Sequence, residues 1–436
     1  MSSDITDRGC PAVPGPQALA GPAREGSPRP VQPPKAVRRD AAPTGPGDGT
    51  VGAATGLLDS YRTGDMFFAS PSRTLLARRA LVQVPHGDAP LGERVARALA
   101  EAADAGQESP FVVGAVPFAG DEPVTLAVPA ESRWAPALRE DPLIALPARQ
   151  PPGEAWQVEP VPDAGTYRKA VGEAVQRIRR GDLEKVVLAR TLELSSASGV
   201  DTSAMLQRLA HRDPRGYTFA LPTEPGRTLL GASPELLVAR RGEHVVANPL
   251  AGSAPRSDDV AEDVRSAVSL LESAKDLHEH AVVVEAVRNA LSRVCTDLTV
   301  PPQPTLVRTA TMWHLSTTVS GELAPRGRPG SRPTSLDIAL ALHPTPAVCG
   351  TPTGRARALI DELEPFERRF FTGMVGWNDA HGDGEWVVTI RCAEAAERSV
   401  RLYAGAGIVA ASEPDAETAE TAAKFRTFLH AVGAEL

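Results

Sequence analysis

Residues 385–425 read EWVVTIRCAEAAERSVRLYAGAGIVAASEPDAETAETAAKF. Two apolar runs, Trp386–Ala393 and Val400–Ala404, flank a polar turn, which predicts an antiparallel pair of strands. Side chains alternate along a strand, so Val387, Thr389 and Arg391 share one face, and Arg391 is a cation in the middle of a strand fit for burial. In Ala404-Gly405-Ala406-Gly407 the small residues allow backbone N–H groups to approach a ligand. Ser412 fits a helix N-cap, with Asp415 at the capping-box position and Pro414 in the first turn. On the helix that follows, Glu413, Glu417, Glu420 and Lys424 form one stripe. Such a stripe alone is ordinarily a solvated face. Beside an anion-binding arginine and a tight backbone loop at Ala404–Gly407 it outlines a site.

The rest of the chain extends the same architecture. Met66–Ser70 and Thr74–Ala77 read as strands joined by a Pro-Ser turn, Leu91–Ala103 as a helix, and Phe111–Pro117 and Val124–Val128 as strands. Residues 135–163 are proline-rich, a long connection or an internal boundary. Thr166–Arg180 is a helix whose stripe Tyr167, Val171, Val175 and Ile178 is core. EKVVLARTLEL at 184–194 is the clearest strand, with Lys185, Val187, Ala189 and Thr191 on one face. Leu229–Ala239 reads as strand, kink, strand, and Asn248–Arg256 as a Gly/Pro loop. Asp258–Arg293 is helical in two pieces, Leu306–Leu323 is one long strand-like run, and Ser335–Leu342 and Arg355–Glu362 are helices. Gly373–Trp377 opens a three-strand meander with an Asp-Gly hairpin turn. Many antiparallel strands without βαβ alternation predict an α+β fold, a large antiparallel sheet system (a two-sheet sandwich) covered by helices.

Composition bounds the function. The 436 residues carry a net charge of −8, which leaves no basic footprint for nucleic acid. Residues 1–50 hold ten of the 41 prolines and no aromatic residue, so that segment is expected to be a disordered tail, with 51–436 as the folded part. The tail lacks the apolar run of a secretory signal, and no stretch is long and apolar enough to span a membrane. Cys10, Cys295, Cys349 and Cys392 lack metal-ligand spacing and read as reduced thiols of a cytoplasmic protein. No coiled-coil heptad demands an oligomer, and a monomer is expected. There is no Walker A or Rossmann fingerprint.

Eight strings follow in order: EKVVLAR around Lys185, GASPELL around Glu235, NPLAGSAPR around Gly252, AKDLHEH around Glu279, MWHLSTTVSG around His314, LHPTPAVCGTP around Ala347, EPFERRFFTGMVGW, and the 385–425 stretch. Together they resemble the chorismate-utilising enzymes, a family of isochorismate, salicylate, anthranilate and aminodeoxychorismate synthases. The resemblance runs from Gly165 to the C-terminus and more loosely back to Met66. It implies a small-molecule substrate, chorismate, bound with magnesium on its ring carboxylate. Lys185 matches the general base that takes a proton from water, and Glu235 the general acid that protonates the leaving hydroxyl. Glu279 and Glu420 match the metal ligands, and Asp276 and Glu417 the positions that support metal-bound water. Arg391 and the Gly405 backbone fall where substrate carboxylate binds, and Gly252, Ser253, His314 and Lys424 line the same site. His343 is left as structural.

The residues suit that chemistry in their own right. A hydroxyl is a poor leaving group, so an acid is needed on one face of the ring and a base on the other. Magnesium prefers carboxylate oxygens, and a guanidinium fork matches a carboxylate. Within the family the pattern is most similar to isochorismate synthases of the siderophore type. Ala251 stands where aminodeoxychorismate synthases carry a lysine, and Ala347 where anthranilate and salicylate synthases tend to carry threonine. The alternatives are salicylate synthesis with pyruvate elimination, a menaquinone-pathway isochorismate synthase, and a non-catalytic chorismate-binding protein.

Overall fold

In the computed structural model the strand read from EKVVLARTLEL spans Lys185–Ser195 and is buried along nearly its whole length. The structure describes residues 50–148, 156–325 and 332–434. All of them lie in one compact unit. The expected tail, with Cys10, lies outside the described residues.

Seventeen strands join into one sheet. Its hydrogen-bonded path runs from Gln157–Val161 through Lys185–Ser195, Ser399–Ile408, Cys392–Ala395, Thr228–Ser233, Tyr217–Pro222 and Met66–Ala69 to Thr74–Gln83. It continues through Thr125–Ala135, Phe111–Val116, Met374–Asp379, Gly384–Val388, Leu236–Arg241, His244–Asn248 and Val319–Leu323 to Cys295–Thr299. Every pairing is antiparallel, and the two-residue strand Gly350–Thr351 pairs with Val186 and Lys185. The two layers of the sandwich are the two halves of this one sheet, curled over. Ala189, Phe219, Leu229 and Tyr403 of the first half share a core with Phe111, Val375, Trp377 and Val387 of the second. Each Phe, Leu or Val among them contributes about 1.5–3 kcal/mol by leaving water, and this shared burial holds the curl. The helix Ala164–Arg179, capped by Asp163, packs Tyr167, Val171, Val175 and Ile178 on the outer face, as its stripe predicts.

Several readings change. Trp386–Ala393 is not one strand. Gly384–Val388 ends with a tight turn in which Ile390 N donates to Val388 O (2.9 Å), and the chain then crosses to pair Cys392–Ala395 with Thr228–Ser233. The expected three-strand meander therefore stops at two. Arg391 sits in the break with φ 48°, a left-handed backbone unusual outside glycine. The Ala404–Gly407 segment is no loop: it is strand, in register with Arg190–Val187. Asn248–Arg256 is likewise mostly strand. Leu250–Pro255 pairs with Met312–Ser316 in a separate three-stranded sheet and is bulged at Gly252, whose φ is 77°. Leu306–Leu323 divides into Thr305–Arg308, Met312–Ser316 and Val319–Leu323, split by turns that side-chain hydroxyls such as Thr309 close. Ser412 is not the cap of the last helix, Pro414–Val432. Its hydroxyl accepts from Val409 N instead, and Glu413 holds the N-cap position.

Candidate active site

The strand Lys185–Ser195, the bulge at Gly252, the break at Arg391 and the helices Ala274–Leu291 and Pro414–Val432 converge on a cleft that encloses about 650 Å³ with its open mouth included. Ten of the residues expected from the sequence line it: Glu235, Gly252, Ser253, Glu279, His314, Ala347, Arg391, Gly405, Glu420 and Lys424. Lys185, Asp276 and Glu417 do not. They stand one layer behind.

The two helices form an acidic wall in which each glutamate is met by a lysine. Lys185, 1% exposed, donates to Glu279 Oε1 at 2.8 Å. Lys424 bridges Glu420 Oε1 (2.6 Å) and the Gly405 carbonyl (2.8 Å). Lys275 holds the buried Glu417 at 2.6 Å. Ser253 donates to Glu420 Oε1 at 2.9 Å. Burial pushes the Glu420 carboxyl up, but Lys424 and Ser253 outweigh it and its pKa is lowered. Burial and the neighbouring Glu420 charge raise Glu417. Asp276, which accepts from the Ser273 hydroxyl, is raised by burial and by Glu279 and Glu420. The residues expected to hold a cation are thus near enough to repel one another. Their donors are all oxygens, which suits magnesium. As arranged, no group of three or more His, Cys, Asp or Glu among the described residues is closed enough to hold an ion.

Across the cleft the charges have no such partners. Glu235 is 3% exposed, and among the described residues its carboxylate accepts only a long bond from Leu250 N, 3.5 Å. Burial raises its pKa to about 7, against the lowering effects of that bond, Lys185, Arg391 and Lys424. Arg391 meets no carboxylate within ion-pair distance among the described residues. Its Nη2 donates to His314 Nε2 at 3.3 Å. Burial, then the Arg391 and Lys424 charges, hold His314 neutral well below its usual range, so it can accept that bond. Ala347 sits at the bend of the His-Pro-Thr-Pro segment, its N–H bonded to Thr345 Oγ1 (3.3 Å). His343 is structural as expected, bonded through Nε2 to the Thr372 carbonyl (2.8 Å).

Three features escaped the sequence reading. Tyr403 and Phe371, stacked with centroids 5.1 Å apart, wall the cleft. Lys275 completes the acidic wall. Gly407 makes room for the Lys185–Glu279 pair, because a Cβ there would lie 2.3 Å from Glu279 Oε1 and 3.0 Å from Lys185 Cε. The Ala-Gly-Ala-Gly string was the signal for the last of these, but the group it admits is the protein's own carboxylate.

Comparison with known proteins is consistent with this geometry. The family model described as "Chorismate binding enzyme" matches residues 138–433. Isochorismate synthase DhbC of Bacillus subtilis is 52% identical over 390 residues, covering 87% of this chain and 96% of that protein. The vibriobactin-specific isochorismate synthase of Vibrio cholerae is 40% identical over 385 residues, covering 87% and 94%. The crystal structure of a putative 2,3-dihydroxybenzoate-specific isochorismate synthase from Bacillus anthracis superposes with a TM-score of 0.80 at 49% identity, over 88% of this chain and 100% of that one.

Proposed function

This chain belongs to the chorismate-binding enzyme family, and on that premise we propose that it is an isochorismate synthase. It adds water at C2 of chorismate and releases the C4 hydroxyl as water, reversibly, feeding synthesis of a 2,3-dihydroxybenzoate-type siderophore. The observation that carries the reading is Glu235. It lines the cleft that Arg391 also faces, and burial holds its carboxyl near pKa 7, so a large share of it keeps a proton to give at neutral pH. A protonated acid on one side of a ring is what departure of hydroxide requires.

The remaining roles follow from position. Arg391, without a carboxylate partner of its own, supplies the fork for a substrate carboxylate, and neutral His314 steadies it. Glu279 and Glu420, supported by Asp276 and Glu417, would hold magnesium, whose charge would offset that of the other substrate carboxylate. Lys185 is the base. Its ammonium now belongs to Glu279, so acting on water requires that pair to part. Tyr403 and Phe371 give the ring an apolar wall. Among the described residues no helix is long and apolar enough to cross a membrane, and the buried free thiols Cys295, Cys349 and Cys392 suit the cytoplasm.

The test is product analysis. Purified protein with chorismate and magnesium should yield isochorismate, resolved by liquid chromatography. Pyruvate and salicylate as the main products would move the assignment to salicylate synthesis, and saturable binding without turnover would make the protein a binder.

A further inference from the structure

The EPFERRFF string contributes a second, fully enclosed charge pair that the proposed chemistry does not use. Arg368 and Glu364 have side chains 3% exposed each. The fork is bidentate, with Arg368 Nη2 to Glu364 Oε1 at 2.6 Å and Nε to Oε2 at 2.8 Å. Arg368 Nη2 also donates to the Val187 carbonyl (2.7 Å), and Nη1 to the Val348 carbonyl (2.8 Å) and Thr372 Oγ1 (3.2 Å). A guanidinium has five N–H donors, and this one directs each of them to a protein acceptor. Glu364 Oε1 in turn accepts from Ala189 N at 2.8 Å.

The location gives these bonds their meaning. Along one edge of the strand Lys185–Ser195, Lys185 and Val186 pair with Thr351 and Gly350, and residues 191–195 pair with Val161–Gln157. Between them no strand among the described residues covers the edge. Val187 N reaches Cys349 O (2.8 Å), and the ion pair takes Val187 O and Ala189 N. Two side chains thus stand in for a missing length of strand, and backbone groups that would otherwise be buried unpaired are satisfied. The same guanidinium ties this strand, which carries Lys185, to the segment that carries Ala347, through Val348. Val187, Val348 and Thr372 all line the cleft.

We propose that the Arg368–Glu364 pair is a positioning device that fixes the distance between the Lys185 strand and the Ala347 segment, and with it the alignment of base and water against the substrate ring. It touches no substrate. The inference rests on the reading of Lys185 as base. A displacement on the order of 1 Å from a productive geometry can cost about 10²-fold in rate. Lysine at 368 keeps the charge but has three donors and no fork, so it cannot hold all four partners at once.

The experiment is a double-mutant cycle with magnesium and chorismate on the full chain. Arg368→Lys should lower kcat by about 10–10²-fold and leave KM within about threefold, because Arg391 and the acidic wall are untouched. In a Lys185→Ala background the same change should have almost no further effect on kcat, since the alignment it sets is already lost. Glu364→Gln keeps the bond from Ala189 and should lower kcat less, and it serves as the readout if Arg368→Lys does not fold. Full kcat in a folded Arg368→Lys variant, or an equal fall in both backgrounds, would overturn the proposal. A wild-type chain that forms no isochorismate would instead overturn the function on which it rests.

Discussion

The two walls of the cleft handle charge in opposite ways. On the helical wall Glu279, Glu420 and Glu417 each have a lysine, at 2.6–2.8 Å. On the sheet wall Glu235 has one long backbone bond, and Arg391 has a neutral histidine. A buried charge left without a counter-charge costs several kcal/mol, a cost that Arg391 bears and that Glu235 avoids by holding its proton, and an arrangement of this kind on one side of a cleft marks a candidate ligand site. On the proposed function, the bare wall is where the substrate's own charges would complete the structure. The compensated wall is where, on the same proposal, a cation would be exchanged against lysines the protein already supplies.

The most severe way to break this contrast is to remove the proposed proton carriers. Lys185→Ala and Glu235→Gln should each lose roughly 10²–10⁴-fold in kcat, measured as isochorismate formed, with chorismate binding retained. Glu235→Gln has a second signature. Burial lifts this carboxyl from 4.5 to about 7, so the folded state keeps a proton that the unfolded state releases. Its contribution to stability is therefore largest below pH 4.5 and declines as pH rises through about 7. The glutamine variant should lose that decline in a pH series of thermal melts, and an unchanged series would show that Glu235 is ionised in the folded chain.

Arg391→Ala probes the bare wall from the substrate's side. Losing one partner of a buried charge pair costs about 2–5 kcal/mol, so KM for chorismate should rise by at least about 30-fold. A rise of less than threefold would mean that the carboxylate binds elsewhere. Glu420→Gln tests the compensated wall and should have the smallest effect. It should raise the magnesium concentration for half-maximal activity by about 10–100-fold. Equal metal dependence in the variant and the wild type would remove Glu420 from the cation site.

What the sequence disclosed follows the same divide. The helical wall was legible because a 3.6-residue period is local: Glu417, Glu420 and Lys424 share a stripe in any helix that forms there. Of the sheet wall, the residues were legible and the geometry was not. Arg391 read as mid-strand because its neighbours alternate, and nothing local in the sequence announces that the chain leaves one partner strand for another there. Gly405 and Gly407 read as a loop, since glycine is poor in strands. They are strand because the segment pairs with Val187–Arg190, and position 407 is glycine because Glu279 and Lys185, distant in sequence, need the space. The Lys185–Glu279 pair and the four-way grip of Arg368 join residues 94 and 181 or more positions apart at their longest reach, and no pattern within a window of a dozen residues encodes such a meeting.

The pairing of Lys185–Ser195 with Ser399–Ile408 also sets a timetable for the newborn chain. Roughly 200 residues separate these neighbours. At a synthesis rate of about 5–20 residues per second, the first strand waits on the order of 10–40 s for its mate. Through that interval one of the most apolar segments of the protein, VVLARTLEL, has an open edge, and a chaperone that shields exposed strands would find its client there.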